Sequence, residues 1–535
     1  MTNSDLTLLL TQAREFRGRR EFNEALSLFD EARHQFADNG AFLSAHALTL
    51  AEAGMGRSAN TLMERALEAS PEDLAIHLDA ARLHLVSGNT RRALELCARA
   101  RGLGYTTALL ASIEGDAHYQ VGRLSEASAS YEEALRIEPG HEAGERLRAA
   151  RKRLGWLEAA RKEPLFSADA RMPAARKHSA NPPISVVIPT WRNEREIGRL
   201  LQSLALQSFA DFDVHLVDDA SDDGTLNEAR SWGDALGITI HTGAARTGRV
   251  ANLNRALSVG EAPYILLANP TDIFGSRYIE ALYERLDRQP ETALCCAGAL
   301  YLNAGGGLVE TQPPLQAFET DPEKPVESAL IVMRHYSEAN QFFGLYRRAA
   351  LAKAGDVPSV HGGDHVHMFS VAMNGRIAYV DEPLYFRRVL EGDLDRNSRT
   401  DRAIRDFSID ERHGVARDSV FSSLDYLTPF IDMAWAHVEA AARAPVAPEH
   451  KRAIMEAIPG VFRYRFGSSL EDDMRRVTLF LDENERRIPG LTPLAIRSRI
   501  VENVLSRIMR ARALMPANRD LDHDLRRIVG MYDRR

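Results

Sequence analysis

Small and apolar residues recur with a period of 34 through the first 141 positions, in frames 6–39, 40–73, 74–107 and 108–141. Position 8 of the frames is Ala13, Ala47, Ala81 and Gly115; position 20 is Ala25, Ala59, Ala93 and Ala127; position 27 is Ala32, Ala66, Ala100 and Ala134. Position 24 is bulky or soft: Phe29, Met63, Cys97 and Tyr131. Each frame predicts two antiparallel helices. Small residues let them approach, and the residue at 24 fills the gap between them. Gly54, Gly88 and Gly122 at position 15 allow the tight turn between helices, and Pro71 and Pro139 end the second helix. One pair cannot bury its own face, so the frames are expected to stack into a solenoid. Residues 142–160 read as a polar capping helix.

The pattern then changes. Residues 161–183 carry Ala, Pro and basic residues without a sustained period and read as a linker. Ile184–Ile188 is a β-branched apolar run typical of a buried parallel strand, ended by Pro189. Helical spacing follows over Glu194–Gln207, then strands at Asp213–Val217, Ile238–His241 and Tyr264–Ala268, with a helix at Arg249–Leu257. Strand–helix alternation predicts a parallel sheet in an α/β domain over 184–395. From 396 to 535 the spacing is helical again, over Asp425–Ala442, His450–Ala457, Ser469–Glu485 and Thr492–Leu514, punctuated by Pro429, Pro459 and Pro493.

Composition adds bounds. The 535 residues are 44% hydrophobic and 27% charged, as expected of a soluble multidomain protein, and the net charge of −8 gives no general pull toward nucleic acid. The basic stretch 151–183 leaves peripheral attachment to a membrane face open. Three cysteines, Cys97, Cys295 and Cys296, form neither a zinc spacing nor a disulfide framework. The N-terminus lacks a signal-peptide pattern, and no apolar run approaches the ~20 residues of a membrane span. The expected compartment is the cytoplasm.

Ligands of such sheets bind at the carboxyl ends of the strands. Thr190, Trp191, Arg192 and Asn193 follow the first strand, and Asp218 and Asp219 close the second. A ring that stacks and carboxylates that accept N–H or O–H suit a nucleobase and ribose. Arg249, near a helix start, suits a diphosphate. Asp222 and Asp223 read as turn-shaping residues.

The 34-residue frames resemble the tetratricopeptide repeat (TPR) family, whose arrays mostly bind proteins; the carboxylate-clamp pattern of some members is not evident. The later motifs resemble the family 2 glycosyltransferases with the GT-A fold: IPTWRNEREIGRLLQSLALQS from 188, VDDASDDGT from 217, GRVANLNRAL from 248, FFGLYRRAALAKAG from 342 and GGDHVHMFSVAMNGRIAYVDEPLYFRR from 362. The resemblance implies transfer of a sugar from a nucleotide-diphosphate sugar, a UDP-sugar first among them, to an acceptor hydroxyl with inversion. It places Asp364 as general base, a residue that also sits where an aspartate would cap a helix. It assigns the donor to Pro189, Thr190, Trp191, Asn193, Asp218, Asp219, Arg249, Asn254, Asn269, Arg387 and Arg388. The family commonly holds a divalent cation, Mn or Mg, on an Asp-x-Asp motif. Here Asn269 and Thr271 stand at the two acid positions, followed by Asp272.

Three readings follow for the leaving-group charge. A metal binds through Asp272 and Thr271 with help from His365 or His367; Arg249, Arg387 or Arg388 replaces it; or the domain binds a nucleotide without catalysis. The repeats suggest a protein acceptor, such as a flagellar or surface protein; a polysaccharide or lipid-linked acceptor is the alternative.

Overall fold

The computed structural model describes residues 3–19, 21–166, 179–309, 317–337, 341–389, 427–484, 494–515, 523–524 and 526–527. The chain divides into two compact units. One comprises 1–151, 415–435 and 458–535; the other comprises 152–414 and 436–457.

In the first unit the period becomes four helix pairs: Asn3–Gly18 with Phe22–Ala32, Gly40–Glu52 with Gly56–Ala69, Leu74–Val86 with Thr90–Gly102, and Ala108–Gln120 with Leu124–Ile137. A further helix spans Ala143–Ala160. The alanines at positions 8, 20 and 27 and the large residues at 24 are all buried. Where the fourth frame has Gly115, a Cβ atom would stand 2.5 Å from the Tyr131 ring, so the large residue of that frame demands the small one. Gly54, Gly88 and Gly122 adopt φ of 87°, 77° and 74°, the left-handed turn that the spacing called for. Asn39, Asp73, Asn89 and Thr107 cap the helices that follow them by accepting backbone N–H groups.

Helices Pro448–Asn484 and Leu494–Leu514 contribute to the same unit. The expected break at Pro459 is absent. The helix runs through the proline, and the one residue with non-helical geometry is Phe466 (φ −123°). Gly467 beside it explains the displacement of the break: a Cβ there would lie 2.4 Å from the Gly54 carbonyl oxygen, so the bend seats bare backbone on the repeat turn. Glu471 then accepts the Arg57 backbone N–H at 2.9 Å, and the Arg57 guanidinium pairs with Asp472. Asp473 accepts the N–H groups of Phe430 and Ile431 at 2.8 Å each, capping the helix Pro429–Arg443.

The second unit is built on a nine-stranded sheet: β1 Ile184–Thr190, β2 Phe212–Asp218, β3 Ile238–Thr242, β4 Tyr264–Leu267, β5 Ile273–Phe274, β6 Thr292–Leu302, β7 Leu308–Val309, β8 Leu345–Arg347 and β9 Arg376–Arg388. The order is β3-β2-β1-β4-β8-β6-β9-β5, with β7 on β6. The first four strands are parallel, as expected. The rest make the sheet mixed, because β8 runs antiparallel to both β4 and β6, and β5 antiparallel to β9. Pro189 does not end β1 but lies within it, opposite Val217. It is tolerated because the β4 partners of β1 stop at Val187, so no ladder donor is needed there. Every residue of β6 is buried, Cys295 and Cys296 included, which makes those thiols packing groups. At the start of the expected linker, Glu163 accepts the Ser276 N–H at 2.9 Å, and Phe166 meets Phe386 edge to face.

Three outcomes test the repeat unit. Gly54→Ala strains a left-handed turn and drives a methyl to 2.6 Å from Arg463 Cβ, so it is expected to cost about 1–3 kcal/mol in urea unfolding. Gly102→Ala, with open space at a helical position, is expected to stabilise by about 0.4–1 kcal/mol. Burial pushes the Glu471 carboxyl up to about 7. The folded chain therefore keeps a proton that the unfolded chain releases near its ordinary carboxylate pKa. The contribution of this group to thermal stability is expected to fall from about pH 4.5 to 7, and Glu471→Gln is expected to remove that part of the slope, leaving the part from Asp473, whose carboxyl burial pushes up to about 8.

Candidate functional site

The carboxyl ends of β1 and β2 lie side by side, with Thr190 opposite Asp218. Two non-glycine residues with left-handed backbone, Arg192 (φ 52°) and Ala220 (φ 58°), turn the chain out of these strands. Asn193 closes the first turn: its Oδ1 accepts from Thr190 Oγ1 at 2.8 Å and from the Trp191 N–H at 3.1 Å. Asp218 closes the second, accepting from the Ser221 N–H and hydroxyl at 2.9 and 2.5 Å and from Thr242 at 3.2 Å. Arg192 forks onto Asp222 with two 2.5 Å bonds at the surface.

Asp219 reaches across to the loop before the helix Arg249–Ser258. Its Oδ1 accepts both the N–H and the hydroxyl of Thr247 at 2.7 Å, and its Oδ2 accepts the Gly248 N–H at 2.9 Å. Gly248 (φ 95°) opens that helix, and Arg249 is its first residue. Arg246, from the same loop, lays its guanidinium 3.7 Å from the Trp191 ring centre and 3.8 Å from Asp219. Within the helix, buried Asn252 donates to the carbonyls of Val217 (2.9 Å) and Thr190 (3.3 Å), tying both strand ends. Arg255 donates to the Asp218 carbonyl at 2.6 Å and to Asn252 Oδ1 at 2.8 Å. Asn254 makes a two-way backbone bond with Val357, at 3.0 and 2.9 Å, and so joins this helix to the segment leading to Asp364.

Beyond β4, Asn269, Thr271 and Asp272 bond one another. Asp272 Oδ2 accepts from Asn269 Nδ2 at 2.8 Å and from the Tyr385 hydroxyl at 2.6 Å; its Oδ1 accepts the Arg388 backbone N–H at 2.9 Å and Thr271 Oγ1 at 3.4 Å. Burial raises this carboxyl above the usual carboxylate range, and the charge of Arg387 opposes that rise. This donor set does not fit a divalent cation: two members are neutral, and both oxygens of the single acid already accept protein hydrogen bonds. Among the described residues no group of three or more His, Cys, Asp or Glu is gathered that could hold a metal. The two candidate helper histidines are placed elsewhere. His365 Nδ1 lies 2.8 Å from His437 Nε2. His367 is buried edge-on to Phe342 and Tyr346, and burial pushes its imidazole down to about 4.

Asp364 lies in the first turn of the helix Gly363–Ala372, half-buried, and its side chain makes no capping bond to the helix. Its Oδ2 accepts the hydroxyl of buried Tyr336 at 2.7 Å. Burial, then the Asp364 charge, raises that phenol well above its usual value, and Arg387 opposes the shift. The charge of Arg387 thus acts on both Asp272 and Tyr336. Sequence reasoning missed Arg246, Asn252, Tyr336 and His437. For Asn252 a signal existed, a polar residue on the buried face of an amphipathic helix. For the others it did not, because their partners are distant in the chain.

Residues 185–352 match the model of glycosyl transferase family 2, and residues 50–114 match that of the tetratricopeptide repeat. The segment that matches the glycosyltransferase model therefore follows the segment that matches the repeat model, in the order the motifs indicated. Among curated relatives, the putative glycosyltransferase EpsE of Bacillus subtilis is 26% identical over 130 residues, 24% of this chain and 47% of its own. Poly(ribitol-phosphate) beta-N-acetylglucosaminyltransferase TarS of Staphylococcus aureus is 33% identical over 93 residues, 16% of each chain. Validoxylamine A glucosyltransferase of Streptomyces hygroscopicus subsp. limoneus is 31% identical over 153 residues, 27% of this chain and 34% of its own. The chain spans less than half the length of these relatives. Among solved structures, S. aureus TarS 1-349 with UDP-GlcNAc aligns at TM-score 0.42 and 17% identity, covering 65% of this chain and 89% of that one.

Asp219→Ala strands the donors of Thr247 and Gly248 and frees the loop that carries Arg246. It is expected to cost about 1–3 kcal/mol in thermal unfolding and to raise proteolytic cleavage near 244–248.

Proposed function

We propose that the chain is an inverting glycosyltransferase that moves a sugar from a nucleotide-diphosphate sugar to an acceptor hydroxyl. The observation that carries this reading is the environment of Asp364. Its carboxylate follows the family-matched segment in the chain, is half-buried, and is held through one oxygen by Tyr336. In the reaction the acceptor hydroxyl attacks the anomeric carbon as its proton passes to Asp364. The bond from that carbon to the diphosphate oxygen breaks, and the electron pair leaves with the diphosphate.

The donor nucleotide is assigned to the turns after β1 and β2, around Trp191 and Asp219, with a UDP-sugar the first donor to test. Because Asn269, Thr271 and Asp272 do not fit a divalent cation, the positive charge facing the leaving diphosphate is assigned to the arginines Arg249, Arg387 and Arg388. The repeats are assigned the acceptor, a polypeptide such as a flagellar or surface protein. A second reading, a polymeric glycan acceptor, draws support from the poly(ribitol-phosphate) in the name of the S. aureus relative.

Asp364→Asn is expected to lower transfer by about 10²–10⁴-fold while leaving calorimetric binding of the nucleoside diphosphate intact. Transfer is expected to persist in EDTA. Transfer that survives Asp364→Asn would remove that residue as the base. A manganese requirement would return the charge-stabilising role to a metal. Labelled sugar appearing on a polyol-phosphate polymer and not on polypeptide would favour the second reading.

A further inference from the structure

The base assigned to Asp364 must present one oxygen to the acceptor within hydrogen-bond reach, and a carboxylate at a helix start turns freely about its side-chain bonds unless something holds it. Among the described residues, Tyr336 alone donates to it, from a position just past the end of the helix Pro325–His335. The Tyr336 ring is buried, and the imidazole of His365 meets it edge to face, with ring centres 5.4 Å apart and planes at 82°. His365 is the neighbour of Asp364 on the same helix, and its ring packs against Tyr336. A hydrogen bond also holds that ring. His365 Nδ1 lies 2.8 Å from Nε2 of His437, a residue with no exposed surface in the helix Pro429–Arg443. His437 is in turn packed edge-on against Phe369, one helical turn beyond His365, at 5.0 Å. In a neutral pair one ring donates and the other accepts, so the bond fixes the tilt of both imidazoles.

We propose that His437 is a positioning residue for sugar transfer: by bonding His365 it locks the ring that braces Tyr336, and Tyr336 fixes Asp364 Oδ2 so that the other oxygen faces the acceptor. This rests on Asp364 being the base. It gives the helix Pro429–Arg443, in which the sequence shows no catalytic motif, a part in positioning the base. Neither histidine touches the reacting atoms.

Glutamine at 437 places an amide near the Nε2 position and can donate or accept; asparagine is polar but too short to reach. His437→Asn is therefore expected to lower kcat on the order of 10-fold, less than the ~10²-fold that a 1 Å misplacement can cost, with KM for the donor and calorimetric binding of the nucleoside diphosphate unchanged. His437→Gln is expected to recover most of the rate. Tyr336→Phe, which keeps the ring and removes the hydroxyl, should lose a similar amount, and the double variant Tyr336→Phe/His437→Asn should lose no more than either. A His437→Asn chain that turns over like the parent, a glutamine variant no better than asparagine, or additive losses would overturn the proposal.

A readout without turnover separates this inference from the assignment of the reaction. The carboxyl carbon resonance of Asp364, assigned with Asp364→Asn, should move in Tyr336→Phe and in His437→Asn and stay in place in His437→Gln. If the parent chain transfers no sugar, the proposed reaction fails and this resonance still decides whether the bracing exists. An unmoved resonance in His437→Asn overturns it.

Discussion

The second unit depends on the fixed adjacency of two strand ends. β1 and β2 stop side by side, and one amide, that of Asn252, donates to the last turn of both. Arg255 reinforces it through the Asp218 carbonyl. This clamp is affordable because the donors and acceptors it pairs are buried, where an unpaired group would cost about 1–3 kcal/mol. With the ends pinned, the two left-handed residues Arg192 and Ala220 can throw their loops in set directions. Asp219 then anchors the loop that delivers Arg246 to the Trp191 ring. Release of the clamp would leave each of these placements without a cause.

Three buried acids of this unit are occupied by the fold. Asp218 and Asp219 shape turns, and Asp272 is enclosed by Tyr385, Asn269 and the Arg388 backbone. Asp364 differs: among the described residues a single donor reaches it, on one oxygen, and part of its surface is open. A carboxylate whose lone pairs all accept protein hydrogen bonds is a poor base and a poor ligand, since new contacts must displace old ones of equal strength. The contrast among these four aspartates is what singles out Asp364.

Much of the fold was legible because it is local or periodic. The 34-residue frames located the buried alanines and the glycine turns, since helix contacts within a pair repeat with the chain. The four parallel strands announced themselves as short β-branched runs. What escaped was set by topology. Nothing near Tyr336 in the chain points to Asp364, and His437 meets His365 from 72 positions away. The strand-end acids were visible as chemistry, but their partners at Thr247 and Ser221 were not. Pro459 read as a break by the usual rule, whereas the bend formed at Phe466 and Gly467, where backbone had to meet Gly54.

That meeting of Gly467 with Gly54 carries a consequence for the order in which the protein is made. The first unit takes its opening 151 residues from the start of the chain and its closing helices from beyond residue 458. At translation speeds of about 5–20 residues per second, the intervening segment of roughly 300 residues delays that closure by about 15–60 s. Throughout the interval the turn at Gly54 and Gly56 has no helix seated on it. The nine-stranded sheet, encoded between the two halves, leaves the ribosome while the repeat unit is still waiting for its last pieces.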